Sequence, residues 1–466
     1  MNANQPPKPY LSGHYTPVTD EITTTGLTVR GTIPPELSGR YLRNGHNPKP
    51  GVTPSHWFKG SGMIHGIRIR DGRAEWYRNR WVRTPAFTED APLLRPDHSV
   101  DLAASVAATH VIQHGGRLLA LQEVNLPWEL SPELDTVAPF DFHGKLKSAM
   151  TAHPKEDPVT GELHFFGYSP FPPHLIYYVA SPAGEIVRTE IIEGAGPSLM
   201  HDFAITRDHV VWIDLPVVFN PAELSGIPYR WSDDYPARLG VMPRTGPAEV
   251  TWFEVDRGAL LHTTNAYEDE AGRIVLDGPR YDRAAWETSW KWWTGAPGHG
   301  TTPGTGSVGR RWTLDPATGK ATEEPTDDLV TEFPAIDDRR TGLPHRHSYA
   351  LAFPGAGLRD YHLAKYDHRT GARQLLSLGA DRMPSEPCFV PAEDGTADDH
   401  GYLLTIVSDL ARNASELLVL DASDLRKAPL AAIELPRRVP AGIHGSWIPD
   451  TALARADSPP NRMVTA

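Results

Sequence analysis

The chain has 466 residues, among them 40 glycines, 45 prolines and a single cysteine, and carries a formal net charge of −13. This acidic balance argues against a nucleic-acid partner, which needs clustered lysine and arginine. The lone Cys388 excludes an internal disulfide and a cysteine metal cage, so any metal must be held by His, Asp or Glu.

Residues 1–20 read as a loose tail without the charged and apolar regions of a signal peptide, and the expected location is the cytoplasm. From 21 to 452 the pattern is that of one domain of short strands and frequent turns, followed by a second loose tail over 453–466. Asp157-Pro158 opens the turn "DPVTG", where Gly161 supplies a positive φ. Two further copies, "DPATG" at 315–319 and "DHRTG" at 367–371, also lie between strand-like runs, and each reads as a hairpin between two outer strands. Strands are expected at "HVVWIDL" (209–215), "GRIVLDG" (272–278), "GYLLTIVSD" (401–409) and "ELLVLDA" (416–422), which are short, β-branched and closed by turn formers.

Stretches 219–244 and 281–306, rich in Trp, Tyr, Pro and Gly, read as loops covering one face. The "WETSWKWW" cluster in the second serves equally well as packing beneath a loop or as lining for an apolar substrate. Helical periodicity is scarce. A hairpin unit scattered over the whole length predicts an all-β fold built by radial repetition, that is, a β-propeller.

Four of the 21 histidines share a setting at the edge of a strand-like run beside small or polar residues: His153, His201, His262 and His444. They are too far apart for a helical metal motif, but the intervals suit ligands delivered by different blades to a common axis. The one G-x-G-x-x-G match, "GTGSVG" at 304–309, precedes a strand-like run and so lacks the helix that a dinucleotide site needs. Cys388 sits in an apolar "PCFVP" setting typical of an inert thiol.

The segments "YLRNGHNP", "GMIHGIRI", "TAHPKEDPVTGE", "HDFAIT", "NAYED", "TEFPAID", "SEPCFVP" and "GIHGSWIP" together resemble, in order, the signature segments of the carotenoid cleavage oxygenase family. That resemblance implies a seven-bladed β-propeller with a loop and short-helix cap over one face, and one non-haem Fe(II) held by His153, His201, His262 and His444, with Glu123, Glu332 and Glu386 bonded to the far nitrogens of three of them. It also implies scission of a C=C bond by O2 to give two carbonyl products. Lys59 and Ser61 stand where the family usually has Asp, and Ala335 where it usually has Arg. Stilbene-cleaving relatives carry a Lys and a Tyr that hold a phenol; here Gln122 and Trp81 take those positions, so both are candidate substrate contacts and the balance tilts toward a carotenoid or apocarotenoid. A stilbene or phenylpropenoid is the alternative substrate class. A non-catalytic propeller and a Ca²⁺-dependent, lactonase-like propeller are alternatives of another kind. Peripheral membrane contact for uptake of an apolar substrate is a further expectation.

Overall fold

The computed structural model describes residues 8–95, 99–223, 226–295, 306–355 and 357–453. Antiparallel sheets dominate, and sequential pairing groups them into seven blades. Blade 2 consists of His110–His114, Arg117–Leu121, Trp128–Leu130 and Thr136–Pro139, and blade 3 of Lys155–Glu156, Leu163–Tyr168, Leu175–Ala180 and Ile186–Ile191. Blade 4 is Ala204–Ile205, His209–Asp214, Arg238–Pro243 and Thr251–Glu254. Blades 5 and 6 share one strand, Lys320–Ala335. Its first part pairs with Val308–Asp315 as the outer edge of blade 5, and its end pairs with His347–Ala352 as the inner edge of blade 6.

The ring is fastened at two seams. The C-terminal strand Gly445–Pro449 pairs with Gly39–Arg43 and forms the inner strand of blade 1, while Val29–Gly31 pairs with Ala431–Leu435 on the outer side of blade 7. Hydrophobic residues alternate onto the faces between neighbouring sheets, so the core is a series of slabs rather than one centre. Leu42, Ile64, Val111, Leu118 and Ile448 fill the slab between blades 1 and 2, and Ile67, Tyr77, Leu404, Leu417 and Val419 the slab between blades 1 and 7.

Several expectations need correction. The DPVTG turn joins the inner strand Lys155–Glu156 to its neighbour, whereas the other two copies do join outer strands. Stretch 219–244 is not one loop: Val217–Phe219 and Tyr229–Trp231 form a small hairpin, and Arg238–Pro243 is a blade strand. Within 281–306 the residues Arg283–Thr294 form a helix, capped by the Asp282 carboxylate on the Ala285 N–H and ended by left-handed Gly295. Trp286, Trp290 and Trp293 recur at helical spacing and meet along one side of it. Residues 296–305, with the first two residues of "GTGSVG", lie outside the described residues, and its last two, Val308 and Gly309, open the strand Val308–Asp315.

The first segment is no loose tail over 8–20 either. Tyr10 and Tyr15 are buried, and Tyr15 packs edge-on against Trp57 and Trp292 of the cap. The Arg438 guanidinium donates to the carbonyls of His14 and Thr16, so the segment is anchored by bonds a sequence cannot display. Of the expected second tail only Leu453 is described, at the end of a short helix, Asp450–Leu453. No helix among the described residues is long and apolar enough to cross a membrane.

Ile448 is 3% exposed within the closing strand, whereas Val159 on the DPVTG turn is 78% exposed. Ile448→Ala is expected to lower stability by about 2–5 kcal/mol, and Val159→Ala to change it by less than about 0.5 kcal/mol, as read from denaturant midpoints at unchanged slope.

Candidate metal centre and substrate cavity

The inner strands are short or broken where functional side chains leave them. His153 precedes Lys155–Glu156, His201 precedes Ala204–Ile205, His444 precedes Gly445–Pro449, and His262 sits in the gap between Ala259–Leu260 and Asn265–Glu268. A side chain released from the pleat at the end of a strand can turn along the propeller axis instead of into a slab. All four do so: one ring nitrogen from each lies within 4.8 Å of the other three. Ring centroids are 4.5 Å apart for His153 and His201, 4.6 Å for His153 and His444, and 4.9 Å for His262 and His444.

The glutamates stand directly behind. His201 Nδ1 donates to Glu123 Oε1 at 2.6 Å, His262 Nδ1 to Glu332 Oε2 at 2.6 Å, and His444 Nδ1 to Glu386 Oε1 at 3.0 Å. A carboxylate that accepts from Nδ1 fixes the tautomer and leaves Nε2 as a lone pair. Those lone pairs have nowhere else to go. His262 Nε2 and His444 Nε2 are buried without a hydrogen-bond partner, and His153 Nε2 lies 3.0 Å from His201 Nε2. Two nitrogens on opposite sides of one ion with bonds of about 2.1 Å would be about 4.2 Å apart, inside the observed limit. The residues therefore fit a metal cation, and the all-imidazole donor set suits a transition metal rather than Ca²⁺, which takes oxygen ligands.

Burial, reinforced by the other three imidazoles and Lys155, holds His153 well below the usual histidine range, so it is neutral as a ligand must be. Burial also opposes charge on His262, but Glu332, Asp202 and Glu386 outweigh it and raise that group. Burial alone would raise the Glu386 carboxyl; His444, His110 and the Gly445 N–H overcome it and keep it ionised below its usual value.

Four further groups complete the hub, and sequence reasoning passed over all of them. The Tyr281 hydroxyl donates to Glu332 Oε1 at 2.8 Å, and the hydroxyl of buried Tyr168 is raised well above the usual tyrosine range by burial first and then by the Glu123 charge. Phe333 adopts φ 54° where the register of its strand shifts between Glu332 and Ala335. Its ring lies 5.4 Å from that of His262 and 5.6 Å from that of His444. A bulky residue held at positive φ is strain kept at a working site. Asp202, beside His201, bonds the Thr263 N–H at 2.7 Å and Lys155 Nζ at 2.8 Å, tying blades 3, 4 and 5 together next to three of the imidazoles. The tyrosines lie outside the histidine segments and left no sequence signal; Asp202 lay within "HDFAIT" and could have been asked about.

Above the imidazoles opens a cavity of about 1140 Å³. Phe171, Trp293, Phe333, Leu351, Phe353 and Met383 contribute to its mostly apolar wall, and His201, His262 and the three glutamates to its floor. Gln122 lines it, but its Oε1 is occupied by the Ala108 N–H and the Thr109 hydroxyl, both at 3.2 Å. Trp81 is not part of the wall. Its indole is buried, donates to the Asn47 carbonyl at 2.9 Å and packs against Phe87, so a role in contacting substrate falls away. Lys59 is exposed on the cavity lining.

A propeller hub of facing imidazoles fit to hold a metal, beneath a mostly apolar chamber, has the build of a metalloenzyme site open to a hydrophobic molecule. Comparison with known proteins narrows the class. Residues 15–449 match the family described as retinal pigment epithelial membrane protein. The chain is 39% identical to a carotenoid cleavage oxygenase of Mycobacterium tuberculosis, over 95% of this chain and 98% of the relative. It is 34% identical to resveratrol cleavage oxygenase 1 of Aspergillus fumigatus, over 96% and 97%. The crystal structure of Pseudomonas brassicacearum lignostilbene dioxygenase superposes with a TM-score of 0.83 at 30% identity, covering 95% of this chain and 99% of that one. The chain belongs to the carotenoid cleavage oxygenase family, and it is an oxygenase.

Glu332→Gln keeps the shape but exchanges a charged acceptor for a neutral amide, and is expected to weaken metal binding about 10–100-fold. Tyr281→Phe removes one donor from Glu332 and should give a smaller loss in the same direction. Titration of the metal-free protein with Fe(II) against a competing chelator reads both.

Proposed function

We propose that this protein is a non-haem Fe(II) dioxygenase that cleaves a C=C bond of a carotenoid or apocarotenoid with O2, giving two carbonyl products. The observation that carries the reading is an apolar chamber of about 1140 Å³, larger than the usual small-molecule site of about 300–1000 Å³, whose floor is the imidazole cluster. Ferrous iron, when bound there, supplies the electrons and open coordination positions through which O2 becomes reactive toward an alkene.

Every other contribution comes from the chain. His153, His201, His262 and His444 offer neutral nitrogen donors and leave the ion's charge intact, while Glu123, Glu332 and Glu386 offset that charge from behind and hold three of the rings. The apolar walls align a rigid polyene over the cluster and keep water from it. No side chain has to move a proton. Neither Gln122, whose oxygen is already bonded, nor Trp81, buried away from the wall, can activate a phenol, which favours a polyene over a hydroxystilbene. Leu94 and Phe171, which line the cavity, are 49% and 67% exposed and mark an apolar mouth through which such a substrate could be drawn from a membrane surface.

The test is anaerobic Fe(II) loading followed by a panel of apocarotenoids and hydroxystilbenes, with products read by mass. Apocarotenoids are expected to be cleaved with kcat/KM at least about tenfold above the stilbenes. Chelation should abolish turnover and Fe(II), but not Ca²⁺, restore it. A preference for stilbenes would transfer the assignment to that substrate class, and calcium-restored activity would end the oxygenase reading.

A further inference from the structure

Three of the four cluster imidazoles are steadied by a carboxylate on Nδ1, but His153 has no carboxylate on its ring among the described residues. Its orientation must come from elsewhere. The peptide unit between Ala152 and His153 is held at both ends: the His153 N–H donates to Thr151 Oγ1 at 3.1 Å, and the Ala152 carbonyl accepts from His110 Nδ1 at 3.1 Å. Because a peptide is planar, fixing its carbonyl and its N–H also fixes the position of the His153 Cα, the atom from which the side chain departs.

His110 begins the inner strand of blade 2 and is a fifth imidazole at the hub, with its ring centroid 5.2 Å from that of His444 and 6.5 Å from that of His153. It stands outside the converging set. A carbonyl can only accept, so Nδ1 carries the proton and Nε2 is an acceptor, which the Ser446 hydroxyl reaches at 2.9 Å. Ser446 lies two residues after His444, in the strand that closes the ring. One imidazole thus joins blade 3 to blade 1 across blade 2 and has no nitrogen left for a metal.

We infer that His110 is a positioning residue for the metal centre, acting through the Ala152 carbonyl to aim His153 in place of the missing carboxylate, and separately latching the closing strand through Ser446. The inference rests on the proposed metal site and adds to it a residue that touches neither metal nor substrate.

The two bonds can be separated. His110→Asn places an amide N–H near the Nδ1 position and can keep the Ala152 bond; His110→Gln reaches toward the Nε2 position and can keep only a bond to Ser446; His110→Leu keeps neither. Transfer of metal from Fe(II)- or Co(II)-loaded protein to a chelator, and the unfolding midpoint of the metal-free protein, are measured for each variant and for Ser446→Ala. The expected result is metal release about tenfold faster or more in His110→Leu and His110→Gln, with His110→Asn near wild type. Ser446→Ala should lower the metal-free midpoint while leaving metal release unchanged. The inference is overturned if the Asn and Gln variants lose metal equally, or if metal release follows the metal-free midpoint across the whole set, since that is what general loosening would produce. Should wild-type protein take up no metal, the metal centre itself is refuted and the role of His110 with it.

Discussion

Nitrogen lone pairs facing one another across a few ångströms repel, and the hub of this propeller consists of them. Glu123, Glu332 and Glu386 hold the Nδ1 protons of three rings, so those rings cannot relieve the repulsion by turning a donor inward. A cation at the centre turns the repulsion into four attractive contacts, and the carboxylates that create the problem also balance the charge of that solution. The remainder of the molecule can be understood as the apparatus that keeps those side chains facing inward.

That apparatus is distributed around the whole ring. Following the inner strands from blade 1 to blade 7, the residues delivered to the axis are His444, His110, His153, His201, His262, Glu332 and Glu386. Four form the converging cluster, two brace it from behind, and His110 bonds the backbone beside it. Asp202 adds a buried anion satisfied by Lys155, Thr263 and the Phe203 N–H, which satisfies its charge fully and stitches three blades together at that level. Local strain at Phe333 is tolerated because strands on both sides of it determine its place.

Much of this was legible in the amino-acid sequence, but unevenly. Short apolar runs such as "GYLLTIVSD", buried on both faces and closed by a turn former, can be read as strands without tertiary information. The histidine segments could be recognised because their order along the chain is itself a pattern. The helix at Arg283–Thr294 was hidden by its tryptophans, which read as loop filling, although their spacing of four and three residues was that of a helix face. The burial of Tyr10, His14 and Tyr15 was invisible, since their segment is anchored by Arg438 more than four hundred residues away. Trp81 was misplaced for a related reason: alignment with a family position locates a residue on its strand but does not say which way its ring turns, and here the Asn47 carbonyl claims it.

The ring closes through its final strand, Gly445–Pro449, and the residue just before that strand is His444. During synthesis on a ribosome every other cluster imidazole emerges earlier, yet none can find its fourth companion until this stretch has appeared and paired with Gly39–Arg43. Metal capture therefore reports on completion: a nascent or prematurely terminated chain lacks a full coordination set, whatever fraction of its sheets has already folded. The same ordering keeps the unfinished protein from presenting a complete set of metal-ligating imidazoles beside an unsealed interior.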